Sequence, residues 1–170
     1  MIYNIYILIL FLFSYSVSFA QTDSTVTTAN NSVSLDILGI GGYGSLNYER
    51  TIFNFSSIRV GVRAGISTLN FTDYTTKFNP DIIIPISINA LYGNKHNLEL
   101  GAGQVISNIV QASKKNYKPE RVFNVHTNFT IGYRYQKKKG GFMFRLNYTP
   151  IIEFYSDYRH WGGVSVGYAF

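Results

Sequence analysis

The sequence predicts an all-β protein, an eight-stranded antiparallel transmembrane β-barrel preceded by a cleaved signal peptide. Three observations predict it. Beyond residue 33 the chain alternates apolar and polar residues over most of its length, the period-two pattern of strands with two unlike faces. It carries 14 Tyr, 13 Phe and 15 Gly against 4 Pro and 2 Met, and aromatic residues favour pleated surfaces. It opens on an export-type segment, yet no later apolar run approaches the roughly 18 residues of a spanning helix; the longest is "IIIPI" at 82–86. Without such a helix, a chain residing in lipid satisfies its backbone only as a closed barrel.

The first stretch, "MIYNIYILILFLFSYSVSFAQTD", holds an apolar core from Ile5 to Phe13 and small residues at Ser18 and Ala20. This is the pattern of a secretory signal cleaved after Ala20, although no Lys or Arg precedes the core. An uncleaved anchor is the alternative, since about 20 helical residues span a bilayer. The expected organisation is a signal peptide at 1–20, a flexible segment at 21–32 and the barrel at 33–170.

The strands follow in order. Residues 33–50 supply two strands if "LGIGG" (38–42) is a bend, because Val33, Leu35 and Ile37 are odd whereas Leu46 and Tyr48 are even. A glycine-rich bend or bulge produces such a phase shift. A single long strand, with residues 22–31 completing the barrel, is the competing account. In "SIRVGVRAGIS" (57–67) Ile58, Val60, Val62, Ala64 and Ile66 oppose Arg59 and Arg63. In "DIIIPISINALYG" Ile82, Ile84, Ile86, Ile88 and Ala90 oppose Ser87 and Asn89, and "HNLELGAG" sets Leu98, Leu100 and Ala102 against Glu99. Residues 121–136 oppose Phe123, Val125, Phe129, Ile131, Tyr133 and Tyr135 to Asn124, His126, Asn128, Thr130 and Arg134. Residues 141–154 oppose Phe142, Phe144, Leu146, Tyr148 and Ile152 to Arg145, Asn147, Thr149 and Glu153. The chain closes on "HWGGVSVGYAF", where Val164, Val166, Tyr168 and Phe170 share one face.

A soluble sandwich also alternates, so the polar face decides between the two. It is rich in Gly, Ser and Asn with isolated Arg or Glu, and all eight lysines fall in connections instead. A solvated sheet would scatter lysines along its strands, whereas a narrow lumen takes small residues and pairable Arg–Glu groups. Tyr48, Tyr92, Tyr135 and Tyr168 near strand ends suit the aromatic girdles of an outer-membrane barrel. The short connections 51–56, 93–95 and 137–141 alternate with the mostly longer 69–79, 111–120 and 155–159, which makes the first set periplasmic and the second external.

"LGIGGYGSLNYERTI", "NALYGNKHNLELGAG", "IGYRYQKKKGGFMFRLNYTP" and "WGGVSVGYAF" together resemble a family of small outer-membrane β-barrel proteins from Bacteroidetes-type bacteria. The resemblance spreads over most of residues 35–170 and implies fold and a Gram-negative outer-membrane location. It carries no catalytic residues to this chain. The terminal Tyr168 and Phe170 also resemble the signal read by the barrel-assembly machinery.

The inward Glu49, Arg59, Arg63, Glu99, Arg134, Arg145 and Glu153 place opposite charges in one enclosure, where unpaired charges are costly. A structural salt-bridge plug is the expected role; a gated pore or polar-ligand pocket is the alternative. Arg59 and Arg63 share a strand and a face, which allows one anion to bridge them. Ser156, Asp157 and His160 supply the residue types of an acyl-transfer site, though such a trio also arises by chance within a loop. Lys114, Lys115 and Lys118 are candidate contacts for lipopolysaccharide phosphates. Three dispersed histidines make no metal site, and the absence of cysteine excludes disulfides and thiol chemistry. The net charge of +6 points to an anionic surface; an exported chain without a basic–aromatic face does not suit nucleic acid. The expectation is a monomeric, cofactor-free, non-enzymatic barrel with a structural or surface-interaction role through its external loops. A narrow porin-like channel for small polar solutes and a lipid A-modifying enzyme remain the other readings.

Overall fold

The computed structural model describes residues 28–72, 78–112, 119–152 and 160–170. The expected signal peptide and most of segment 21–32 lie outside these residues, as do Lys114, Lys115, Lys118, Glu153, Ser156 and Asp157. Nine β-segments follow in chain order: β1 (Asn31–Leu38), β2 (Gly44–Phe55), β3 (Ile58–Ser67), β4 (Ile82–Gly93), β5 (His96–Ala112), β6 (Pro119–Gln136), β7 (Gly141–Tyr148), β8 (Ile151–Ile152) and β9 (Gly162–Ala169). No helix occurs among the described residues.

Sequential neighbours pair antiparallel from β1 to β7, and β9 lies between β7 and β1. The sheet therefore closes. The two-residue β8 continues the line of β7 beyond Thr149 and Pro150, also pairing with β6, so the barrel has eight staves. Proline lacks the N–H that a ladder needs, which accounts for a break at Pro150 in the stave expected to run unbroken from 141 to 154. Phe170 completes the closing strand, exchanging backbone hydrogen bonds with Asn31 at 2.8 and 2.9 Å.

Residues 33–50 form two staves, and β1 starts at Asn31, two residues before the expected start of the barrel. Gly39 (φ 99°) and Gly42 (φ 86°) adopt backbone conformations that side chains disfavour, and the Leu38 N–H closes the turn on Tyr43 O at 2.9 Å. The long-strand alternative for 33–50 is thereby replaced. The expected connection 51–56 is also corrected: β2 continues through it to Phe55. The register slips between Thr51 and Phe53, a bulge that absorbs the consecutive apolar pair Ile52–Phe53. Only Ser56 and Ser57 make the turn, with Ser56 at φ 45°.

Burial is inverted relative to a water-soluble protein. Among the described residues 23 polar or charged residues are buried against seven apolar ones, whereas soluble interiors bury mostly apolar side chains. The alternate positions of each stave (Leu35 and Ile37, Ile84 to Ile88, Leu98 and Leu100, Val164 and Val166) point outward and are exposed. Lys95 and Lys137–139 fall outside the strands, at one end of the barrel. This turn end also holds Ser56–Ser57 and Phe170. The opposite, loop end carries the connection 68–81 and the β5–β6 hairpin, whose last pairs run past the top of β4 to Ala112↔Pro119.

Candidate functional site: the charged lumen

Inward positions alternate along every stave, so register decides which charges meet. Arg145 on β7 stands beside Arg134 on β6 and Ser165 on β9. Glu49 on β2 pairs with Ser32 and Arg63. Side chains then reach across the lumen to acids on distant staves. Arg134 Nη1 donates to Glu49 Oε1 at 2.6 Å, and its Nη2 to Ser32 Oγ at 3.2 Å. Arg145 Nε donates to Glu99 Oε2 at 2.9 Å, while its Nη2 and Nη1 approach Glu49 and Asp36 at 3.4 and 3.7 Å. Arg63 Nη1 lies 3.7 Å from Glu99 Oε1, and its Nε donates to Ser87 Oγ.

Three carboxylates thus face three guanidinium groups, drawn from β1, β2, β3, β5, β6 and β7, with every member at most 5% exposed. Buried ions are tolerated when paired and hydrogen-bonded, and uncharged neighbours add to the shell: Asn89 Nδ2 donates to Glu49 Oε2 and Ser34 Oγ to Asp36 Oδ1. The arrangement joins opposite walls and fills the middle of the lumen, as expected of a barrel of this strand number.

Six of the seven charged residues singled out from sequence lie in this lumen; Glu153 is outside the described residues. Arg59 is buried but stands apart from the network, donating to Asn97 Oδ1 at 2.8 Å. Arg59 and Arg63, which share a strand and a face, have different partners: Arg63 turns to Ser87 and Glu99, Arg59 to Asn97. Sequence reasoning missed Asp36, although its place between outward Leu35 and Ile37 signals an inward carboxylate. His126 shares the inward face of Asn128 but is only half-buried. His160 is exposed, its Nδ1 2.7 Å from Tyr148 Oη. Tyr168 and Phe170 point outward and are exposed.

Two further clusters frame the barrel. At the loop end, Arg121 donates to the carbonyls of Asn79, Pro80 and Asn108, while the Asp81 carboxylate accepts from Asn70 Nδ2 and Val110 N. These bonds tie the 68–81 connection to the β5–β6 hairpin. At the turn end, Lys138 Nζ donates to Ser56 O, and the Ala29 N–H to Lys138 O. His96 Nδ1 sits 2.6 Å from Tyr133 Oη, with Lys95 over the Tyr135 ring.

No protein-family model matches the sequence, and no curated protein does. Among solved structures, the N-terminal β-barrel domain of Pseudomonas aeruginosa OprF is similar over 84% of this chain and 99% of its own, with TM-score 0.55 and 11% identity. The Yersinia pestis outer membrane protein Ail, determined in a phospholipid bilayer nanodisc, aligns over 82% of this chain and 98% of its own, with TM-score 0.49 and 11% identity. At such identity, the likeness to OprF establishes the architecture: a closed, eight-stranded antiparallel barrel.

Proposed function

We propose that this chain is an integral outer-membrane barrel of a Gram-negative, Bacteroidetes-type bacterium, serving as a rigid platform whose loops 69–79 and 111–120 meet external partners. One observation carries the reading: polar groups are buried in the lumen while the outward face is a continuous apolar surface. Water-soluble proteins seldom expose apolar patches beyond a few hundred Å², whereas a lipid-facing barrel requires them. Fold likeness to outer-membrane barrels supports the same placement. The ion-paired lumen favours a closed platform over the channel reading, because conduction would require separating buried pairs. Lipopolysaccharide contact by Lys114, Lys115 and Lys118, recognition of Tyr168 and Phe170 by the assembly machinery, a monomeric state and the absence of enzymatic activity belong to the same proposal.

Cell fractionation with gel migration before and after heating tests it. Recovery in the outer membrane, with a compact unheated band that shifts on boiling, is expected. Recovery as a soluble periplasmic protein overturns the reading. Measurable ion conductance in planar bilayers would favour the channel instead.

A further inference from the structure

Pro85 sits in the middle of β4, a stave with neighbours on both sides. Its ladder to β5 is continuous through Pro85↔Val105, but its ladder to β3 passes from Ala64↔Ile86 directly to Ser67↔Ile83. Gly65 and Ile66 keep their partners Asn47 and Leu46 on β2 but have none on β4, opposite a residue that has no N–H to give. Above the gap, where Ser67 pairs with Ile83 again, the Ser67 Oγ also donates to Gly44 O and ties β3 to β2.

The two sides of this seam are both apolar. On the outside a groove of about 500 Å³ is lined chiefly by Leu35, Leu46, Ile66, Pro80 and Ile82, with Ser45, Ser67 and Thr68 also on its wall. Its acidic member, Asp81, already accepts hydrogen bonds from Asn70 and Val110. Inside, in an otherwise mostly polar lumen, Ile40, Ile83 and Val105 form a buried apolar cluster with Ile109 packed on it. Against the groove wall, Arg121 binds the Pro80 carbonyl and makes no ion pair among the described residues.

We propose that the β3–β4 seam at Pro85 admits one hydrocarbon chain of a surrounding lipid from the outer groove toward the Ile40–Ile83–Val105 end of the lumen. This rests on the membrane placement proposed above. The groove is continuous with the outward apolar face, so lipid is the material that meets it. Its lining is largely apolar, and its one carboxylate, Asp81, is already engaged by Asn70 and Val110, which suits a hydrocarbon rather than a polar solute; Arg121 supplies a cation for the headgroup phosphate.

Tryptophan quenching in vesicles of chain-brominated phosphatidylcholine tests this on the full barrel. Trp161→Phe removes the native fluorophore, and inward probes are placed by Ile83→Trp or, in the more tolerant turn, Ile40→Trp. Ile86→Trp provides an outward control, and heat-shifted migration verifies folding of each variant. The inward probes are expected to be quenched, and quenching should fall to the level in unbrominated vesicles once Ile66→Cys and Ile84→Cys are oxidised across the seam. Pro85→Val, which restores the missing donor, should reduce quenching without a staple. Quenching of the outward control alone overturns the seam proposal and leaves the membrane placement standing. Absence of quenching at the outward control removes both. Inward quenching unchanged by the staple and by Pro85→Val means that the chain enters elsewhere, and the seam is refuted.

Discussion

Arg145 Nε donates to Glu99 Oε2 across 2.9 Å, and neither side chain retains any exposure to solvent. The same guanidinium approaches Glu49 and Asp36, so one residue on β7 joins β1, β2 and β5 through the lumen. The barrel's outward face gains nothing from packing against itself, which leaves this cross-lumen network as the chief contact between opposite walls.

Arg145→Met leaves three carboxylates short of a partner. Removing one member of a buried ion pair costs about 3–5 kcal/mol, and the loss should appear as a lower urea midpoint for unfolding from lipid vesicles. A change under 1 kcal/mol, below that range, would mean that the network contributes little to stability.

Arg59→Met should behave differently. Arg59 gives up one hydrogen bond to Asn97, worth about 1.5–3 kcal/mol for a charged donor, while relief from burying a cation outside the network offsets most of that. The expected net change is within about 1 kcal/mol, measured in the same titration beside Arg145→Met.

Gly163 faces the β1–β2 turn so closely that a Cβ there would lie 2.7 Å from the Gly39 backbone. Gly163→Ala should therefore destabilise the barrel by about 1–3 kcal/mol, the usual cost of overpacking. Gly44→Ala, whose Cβ would find its nearest neighbour at 3.8 Å, should be tolerated. Heating the two variants side by side and following gel migration ranks them.

Ile88 is 59% exposed on β4. If that exposure is to hydrocarbon, Ile88→Arg costs about 2–4 kcal/mol near the bilayer midplane. On a water-exposed surface the same change would stay within about 0.5 kcal/mol. Unfolding titrations of the lipid-embedded variant separate the two.

The faces of the staves were legible because period two survives in nearly every strand, and lysine placement distinguished lumen from solvent. The two-strand reading of 33–50 rested on a real signal, the phase change across Gly39–Gly42. The end of β2 was not legible: Ile52–Phe53 breaks the alternation, and only the opposing strand reveals a bulge rather than a turn. Asp36 was readable by alternation but is a lone carboxylate beside that glycine bend. Which charges meet depends on contacts between β7 and β5 or β6 and β2, far apart in sequence. Arg59 and Arg63 therefore looked equivalent until their different partners were visible. Pro85 reads simply as a strand residue in "IIIPI", because sequence does not say which neighbour loses the hydrogen bond.

The central claim is that the outward face meets lipid and the inward face does not. The chain has no cysteine, so single spin-labelled cysteines at Ile84, Ile86, Ile88, Ser87 and Asn89 in reconstituted bilayers test it directly. The account predicts that labels at the three isoleucine positions collide with dissolved oxygen but not with an aqueous nickel complex, while those at Ser87 and Asn89 are shielded from oxygen. Nickel accessibility at the isoleucine positions would place that face in water and contradict the account.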